Sequence, residues 1–281
     1  MHRIVRKEMV APNTAMFHVE APWIARKAKP GQFIIVRLDE MGERIPLSLS
    51  GWDPVAGTLR LIVQAVGYTT MKMVALNEGD FILDVAGPLG AHTHLPPEGT
   101  LVVIGGGYGA GAVLPNAHEA KSGGRRVLGI IGARTKELVL MEQEMRAICD
   151  ETFITTDDGS YGITGVVTDA LKIILDREKV GAILAVGPVP MMRAVSDMTK
   201  PMAIPTLVSL NAIMVDGTGM CGGCRVVVGG ETKFACFDGP DFDGHVVDYD
   251  LLVRRQKMYK PQEAQALEHA CKIDQQVRAL R

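Results

Sequence analysis

The chain has 281 residues, 47% of them hydrophobic and 22% charged, with a formal net charge of −2. It is too apolar for a disordered chain and long enough to bury a sizeable core in one to three domains. The charge balance excludes the basic face of a nucleic-acid binder. Five cysteines, an odd number with three of them clustered, exclude a disulfide framework and point to a reducing compartment.

The opening MHRIVRKEMVAPNTAMF lacks the apolar core of a signal peptide. The longest apolar runs, such as residues 101–115, are short and broken by glycine, so no membrane span and a cytoplasmic location are expected.

Residues 1–97 read as strands joined by turns. FIIVRL (33–38) and TLRLIVQAV (58–66) are β-rich, and Pro30-Gly31 and Asp53-Pro54 precede them as turn signals. Only residues 70–77 show a helical pattern, so a small antiparallel β-barrel is predicted. Three polar turns stand out: Arg44-Ile45-Pro46-Leu47-Ser48, Gly67-Tyr68-Thr69-Thr70 and residues 87–90. An arginine, small hydroxyls and glycines suit phosphates and the polar edge of a flavin, and Thr69 and Thr70 open the predicted helix, a second anion site. Taken alone, they are equally well polar turns.

From residue 98 to 210 the pattern changes. Strands at 101–106, 126–133, 151–158, 180–188 and 206–211 alternate with helices at 110–122, 138–149, 166–178 and 191–199. That alternation predicts a doubly wound parallel sheet with ligands at the carboxyl ends of its strands. Gly105, Gly106, Gly107 and Gly109 end the first strand and begin its helix, where backbone N–H groups can hold a pyrophosphate. Gly105-x-Gly107-x-x-Ala110 fits the dinucleotide fingerprint loosely; close packing alone is the alternative. Arg134 ends the second strand and can pair with a phosphate. Asp157 or Asp158 ends the third and can accept from an adenosine ribose, favouring NAD over NADP; a capped turn is the competing use. Gly187-Pro188 ends the fourth, where a bare backbone can admit a nicotinamide or simply turn.

Residues 211–281 change character again. Cys221-Gly222-Gly223-Cys224 stands eleven residues before Cys236, and Asp216 occupies the position five before Cys221. The resulting D-x4-C-x2-C-x11-C differs from the plant-type [2Fe–2S] spacing by an aspartate at its first position. Glycines let such a loop curl around an inorganic core. Zinc held by the three cysteines and His245, or a redox dithiol, are the rival readings. The preceding nucleotide domain, as an electron source, and the single C-x-x-C knuckle favour iron–sulfur. Asp216 is local and in register for the fourth ligand, whereas Cys149 and Cys271 must fold back to reach it. An acidic loop (238–250) and a charged, helix-prone tail (261–281) follow.

The order of these three parts resembles the ferredoxin–NADP reductase superfamily. It is most similar to the branch holding the electron-transfer subunit of dihydroorotate dehydrogenase B and the small subunit of NADH-dependent reduced ferredoxin:NADP oxidoreductase. The most specific stretches are SLNAIMVDGTGMCGGCRV (209–226) and FACFDGPDFDGHVVDYDLLVRRQ (234–256). The dihydroorotate branch usually has Cys where Asp216 stands, and the other branch has Asp.

The resemblance implies an FAD-binding barrel (1–97), an NAD(H)-binding α/β domain (98–210) and a C-terminal [2Fe–2S] segment with a helical tail (211–281). Arg44, Pro46, Leu47 and Ser48 would meet the flavin, Ser48 near its N5 edge. Gly67, Thr69 and Thr70 would hold the FAD pyrophosphate, and the 105–109 turn would face NAD(H). Asp216, Cys221, Cys224 and Cys236 would ligate the cluster. Leu47 stands where many members carry an aromatic residue, so ring stacking is not implied. The implied function is transfer of electrons between NAD(H), FAD and the cluster, beside a larger flavin and iron–sulfur subunit that uses NADPH and ferredoxin, in an electron-bifurcating complex. An electron-transfer subunit feeding dihydroorotate electrons to NAD, a free-standing NADH:acceptor reductase and a zinc-containing regulatory nucleotide-binding module are the alternatives. No side-chain acid or base is required.

Overall fold

The computed structural model describes residues 1–268. The first part forms eight strands: β1 (His2–Ala11), β2 (Thr14–Glu20), β3 (Phe33–Arg37), β4 (Ile45–Ser48), β5 (Gly51–Asp53), β6 (Thr58–Gln64), β7 (Phe81–Ile82) and β8 (Asp84–Leu89). They pair antiparallel in two sheets, ordered β5-β6-β2-β1-β7 and β4-β3-β8. Phe17, Ile34, Leu59 and Leu61, alternate inward residues of their strands, fill the space between the sheets. Helix α1 (Pro22–Ala25) is a single turn. Helix α2 (Tyr68–Ala75) starts two residues before the predicted 70–77. The Thr70 hydroxyl accepts from the N–H groups of Val66 and Gly67, so it closes the first turn from inside the helix instead of preceding it.

The second part alternates β9 (Thr100–Gly106), α3 (Gly109–Ser122), β10 (Val127–Ala133), α4 (Glu142–Ile148), β11 (Glu151–Thr156), β12 (Ile163–Thr164), α5 (Val167–Arg177), β13 (Val180–Val186), α6 (Val189–Thr199) and β14 (Thr206–Ser209). These strands run parallel in the order β12-β11-β10-β9-β13-β14. The chain leaves β9 in one direction and later returns to β13 on its other side, which opens a switch point between the carboxyl ends of β9 and β13. The predicted helix 138–149 is broken. Residues Lys136–Leu138 form a 3₁₀ turn, and Met141, in the left-handed region at φ 59°, starts α4 afresh. The break drops Leu140 and Met141 into the core, so burial overrides helical continuity.

The third part carries a hairpin, β15 (Arg225–Val228) with β16 (Glu231–Phe234), then β17 (Asp241–Asp243) and α7 (Tyr249–Gln256). The predicted acidic loop 238–250 therefore needs correction: β17 joins β14 antiparallel and becomes the seventh strand of the large sheet. Its three residues alternate, with Phe242 buried between two aspartates, a pattern too short to read from sequence. Residues 260–268 are helical; the predicted tail beyond them, with Cys271, lies outside the described residues. Among the described residues no helix is long and apolar enough to cross a membrane.

One core joins all three parts. Phe33 and Ile35 of the barrel, Ile104 and Val208 of the parallel sheet, and Met214, Cys224, Cys236 and Leu252 of the third part belong to the same apolar cluster.

Candidate cofactor clefts and metal loop

A cleft lies over the carboxyl ends of the parallel strands. A cavity of about 520 Å³ is lined there by Gly106, Gly107, Arg134, Asp157, Thr155 and Met191, with Gln64 and Thr14 contributed by the barrel. The glycines divide their work. A side chain on Gly105 would strike Ala110, and one on Gly109 would strike the Val186 carbonyl, so these two bring α3 tight against β9 and β13. Gly107, at φ 55° with open space where a side chain would be, presents backbone to the cleft. Close packing thus accounts for Gly105 and Gly109, while Gly107 leaves its backbone open to the cleft. The two aspartates also separate. Asp158 accepts from the N–H and hydroxyl of Ser160, which hold its carboxyl below the usual range, the arrangement of a capped turn. Asp157 faces the cleft with Arg134.

A second cavity, about 210 Å³, lies where the three parts meet. Pro46, Leu47 and Ser48 form one wall, Tyr108 and Gly187 another, and residues from Ser209 to Met214 a third. Gly187 thus opens on this cleft and not on the larger one, and a side chain on it would meet Met191 and Gly106. Arg44 is exposed at the head of β4. Its neighbour Glu43 accepts from the Thr69 hydroxyl at 2.9 Å, which ties the Arg44 loop to the start of α2. The hydroxyls of Thr69 and Thr70 are therefore engaged within the protein, and what α2 offers an anion is the backbone N–H groups of its first turn. Ser50, Ile62, Tyr108 and Asn211 also line this cleft and were not singled out from sequence. Ser50 had a signal, since it lies on the same side of the chain as Ser48; the others had none.

The metal loop begins where that wall ends. Asp216, Cys221, Cys224 and Cys236 come together as two pairs. The Cys221 thiol donates to Asp216 Oδ1 at 3.2 Å, and the Cys224 and Cys236 sulfurs are 3.1 Å apart. Gly217, at φ 78°, turns the chain close against Ile35 and Leu89 of the barrel, where any side chain would be strained by the left-handed backbone and press on both. The N–H of Gly219 donates to Cys236 Sγ at 3.1 Å. Cys224 and Cys236 are buried and Cys221 is exposed, so one corner of the loop meets solvent.

The electrostatics suit a cation. Burial works to raise the Asp216 carboxyl, but the Cys221 thiol and the Thr218 N–H and hydroxyl donate to it and hold it at about 2. Burial, then Cys224 beside it, pushes the Cys236 thiol up to about 12, so it needs a metal's charge to become a thiolate. Two donor pairs fit a two-iron core, in which each iron takes two protein ligands, better than one tetrahedral ion. His245, the fourth ligand of the zinc alternative, hydrogen-bonds Thr199 Oγ1 at 2.9 Å and pairs with Asp243. Cys149 caps the C-terminal end of α4, buried, with its sulfur 3.5 Å from that of Met145.

Residues 211–248 match the family of the iron–sulfur cluster binding domain of dihydroorotate dehydrogenase B. Over 263 residues the chain is 43% identical to a Thermotoga maritima protein described as a homolog of the electron transfer subunit of dihydroorotate dehydrogenase B (NAD(+)), covering 94% of this chain and 93% of that one. The electron transfer subunit from Desulforamulus reducens is 34% identical over 85% of this chain and 94% of its own. Among solved structures, a chain from the NADH-dependent reduced ferredoxin-NADP oxidoreductase, a structure addressing flavin-based electron bifurcation, superposes with a TM-score of 0.91. It is 42% identical and covers 96% of this chain and 98% of that one. Phthalate dioxygenase reductase, 18% identical with a TM-score of 0.57 over 81% of this chain and 86% of that one, shares the fold.

Proposed function

The chain belongs to the family of the dihydroorotate dehydrogenase B electron-transfer subunits and their homologues, and from that premise we propose that it passes electrons between NAD(H), FAD and a [2Fe–2S] cluster beside a larger subunit. The observation that carries this is the contiguity of the metal loop with the cleft between the barrel and the nucleotide domain. Asn211, Ala212 and Met214 wall the cleft, and Asp216 follows two residues later.

When bound, FAD accepts the two electrons of a hydride and releases them singly to a cluster that carries one at a time. The protein's part is position and electrostatics. Pro46, Leu47, Ser48 and Tyr108 shape the flavin cleft, with Arg44 and the first turn of α2, at Gly67, Thr69 and Thr70, for its phosphates. Gly106, Gly107, Arg134 and Asp157 take the dinucleotide, while Gly105 and Gly109 bring α3 close enough to present that turn. Gly187 leaves room where the nucleotide and flavin clefts adjoin. Asp216 with Cys221, and Cys224 with Cys236, would supply the two ligand pairs of the cluster. The parts serving these roles are residues 1–97, 98–210 and 211–281.

Between partners, we favour a larger flavin and iron–sulfur subunit that uses NADPH and ferredoxin. The ferredoxin-NADP oxidoreductase chain is 42% identical over 96% of this chain, against 34% over 85% for the Desulforamulus reducens dihydroorotate subunit. The test is preparation of the full chain without oxygen, with iron, acid-labile sulfide, flavin and co-purifying subunits measured together, followed by NADH addition. Two irons, two sulfides, one FAD and bleaching of the visible spectrum by NADH are expected. Zinc in place of iron and sulfide overturns the reading, and a dihydroorotate-oxidising partner reassigns the complex.

A further inference from the structure

The metal loop is held from outside by α7, which lies beyond the stretch matched to the iron–sulfur domain. Arg255 Nη2 donates to the carbonyl oxygen of Gly223 at 2.9 Å. The next residue, Gln256, donates from Nε2 to the carbonyl of Asn211 at 3.0 Å and to its side-chain oxygen at 2.7 Å. One turn of α7 therefore fixes the entry to the loop and the middle of its Cys-x-x-Cys segment. Gly223 lies between Cys221, a member of one donor pair, and Cys224, a member of the other.

Arg255 also brings a charge. It is half-buried, and it lines a cavity of about 230 Å³ together with Cys221, Gly223 and Arg225. Arg225 is exposed, its guanidinium lying alongside Gly222. A guanidinium is charged at every working pH, and a half-buried one is screened less than an exposed one. Adding an electron to an iron–sulfur centre adds one negative charge, so a fixed cation beside it favours the reduced form.

We propose that Arg255 is a positioning residue for the metal loop whose fixed charge raises the reduction potential of the centre held there, an inference that rests on the iron–sulfur reading above. Arg225 acts in the same direction and less strongly, because water screens it.

The experiment is a redox titration of the full-length, FAD-loaded protein, followed by the electron paramagnetic resonance of the reduced cluster, with iron and sulfide measured on the same samples. In Arg255→Gln the midpoint is expected to shift to lower potential. In Arg255→Lys, which keeps the charge, it stays near the wild-type value. In Arg225→Gln it shifts down by less. An unshifted midpoint in Arg255→Gln with full iron and sulfide overturns this inference and leaves the iron–sulfur reading standing, as does Arg255→Lys shifting as far as Arg255→Gln. Should Arg255→Gln not retain iron, an unshifted midpoint in Arg225→Gln rejects the charge argument. Wild-type protein without iron and sulfide removes the iron–sulfur reading and this inference with it.

Discussion

Among the four proposed cluster ligands, Asp216 is the one carboxylate. Its two oxygens accept from Thr218, Met220 and Cys221, so the carboxylate is oriented before any metal arrives. Replacing it with Ala removes a ligand and the acceptor that shapes the turn, and cluster content should fall to a small fraction of wild type. Asp216→Cys restores a ligand of softer character and should keep a cluster with an altered visible spectrum and potential. Equal spectra and potentials in wild type and both variants would rule Asp216 out as a ligand. Asp157 lines the cleft proposed for the dinucleotide. Asp157→Ser should raise the KM for NADH about tenfold, the scale of one hydrogen bond to a charged group, with little change for NADPH. Steady-state assays with both nucleotides check this, and an unchanged ratio removes Asp157 from cofactor choice.

At the scale of elements, Asp150 joins the end of α3 to the beginning of β10. Its carboxylate accepts from Lys121 at 2.6 Å and from the Val127 N–H at 2.9 Å. The Lys121 ammonium, first, and then that N–H hold its pKa below the ordinary aspartate value. A carboxylate with a depressed folded pKa stabilises the fold above its unfolded pKa of about 4, and that stabilisation is lost as pH falls through the folded value. Asp150→Asn should therefore cost on the order of 1 kcal/mol at pH 7 and progressively less below about pH 4. Thermal unfolding of both proteins from pH 7 to pH 3 measures the gap, and a gap constant across that range contradicts the mechanism. Elements also show where local pattern yields to packing. The apolar run 138–141 looks helical, yet the helix restarts at Met141 because that break buries Leu140 and Met141 together.

For the whole molecule, the decisive feature is the core shared by barrel, parallel sheet and metal loop. Because Cys224 and Cys236 pack in the same cluster as Phe33 and Ile35, the loop should not unfold as a separate tail. Calorimetry of the iron-loaded protein should show one transition, and chelation of the iron should move that transition down in temperature without splitting it. A separate low-temperature transition after chelation would show that the loop is independent of the barrel.

The alternation of strands and helices from residue 98 to 210, the barrel before it and the cysteine spacing after it are local signals, carried by residues near one another in the chain. They sufficed for the order of the three parts and for the candidate ligands Asp216, Cys221, Cys224 and Cys236. Distances between remote segments were not in the sequence. Only the folded chain separates the glycines that bring α3 close from the one that faces the cleft, commits the Thr69 and Thr70 hydroxyls to internal bonds, and divides Asp157 from Asp158. Only the folded chain turns part of an acidic loop into an edge strand and sets Arg255 on the carbonyl of Gly223. Periodicity and spacing follow from backbone geometry and are written along the chain. Which side chain meets which partner is settled by burial of the whole, and that is decided in three dimensions.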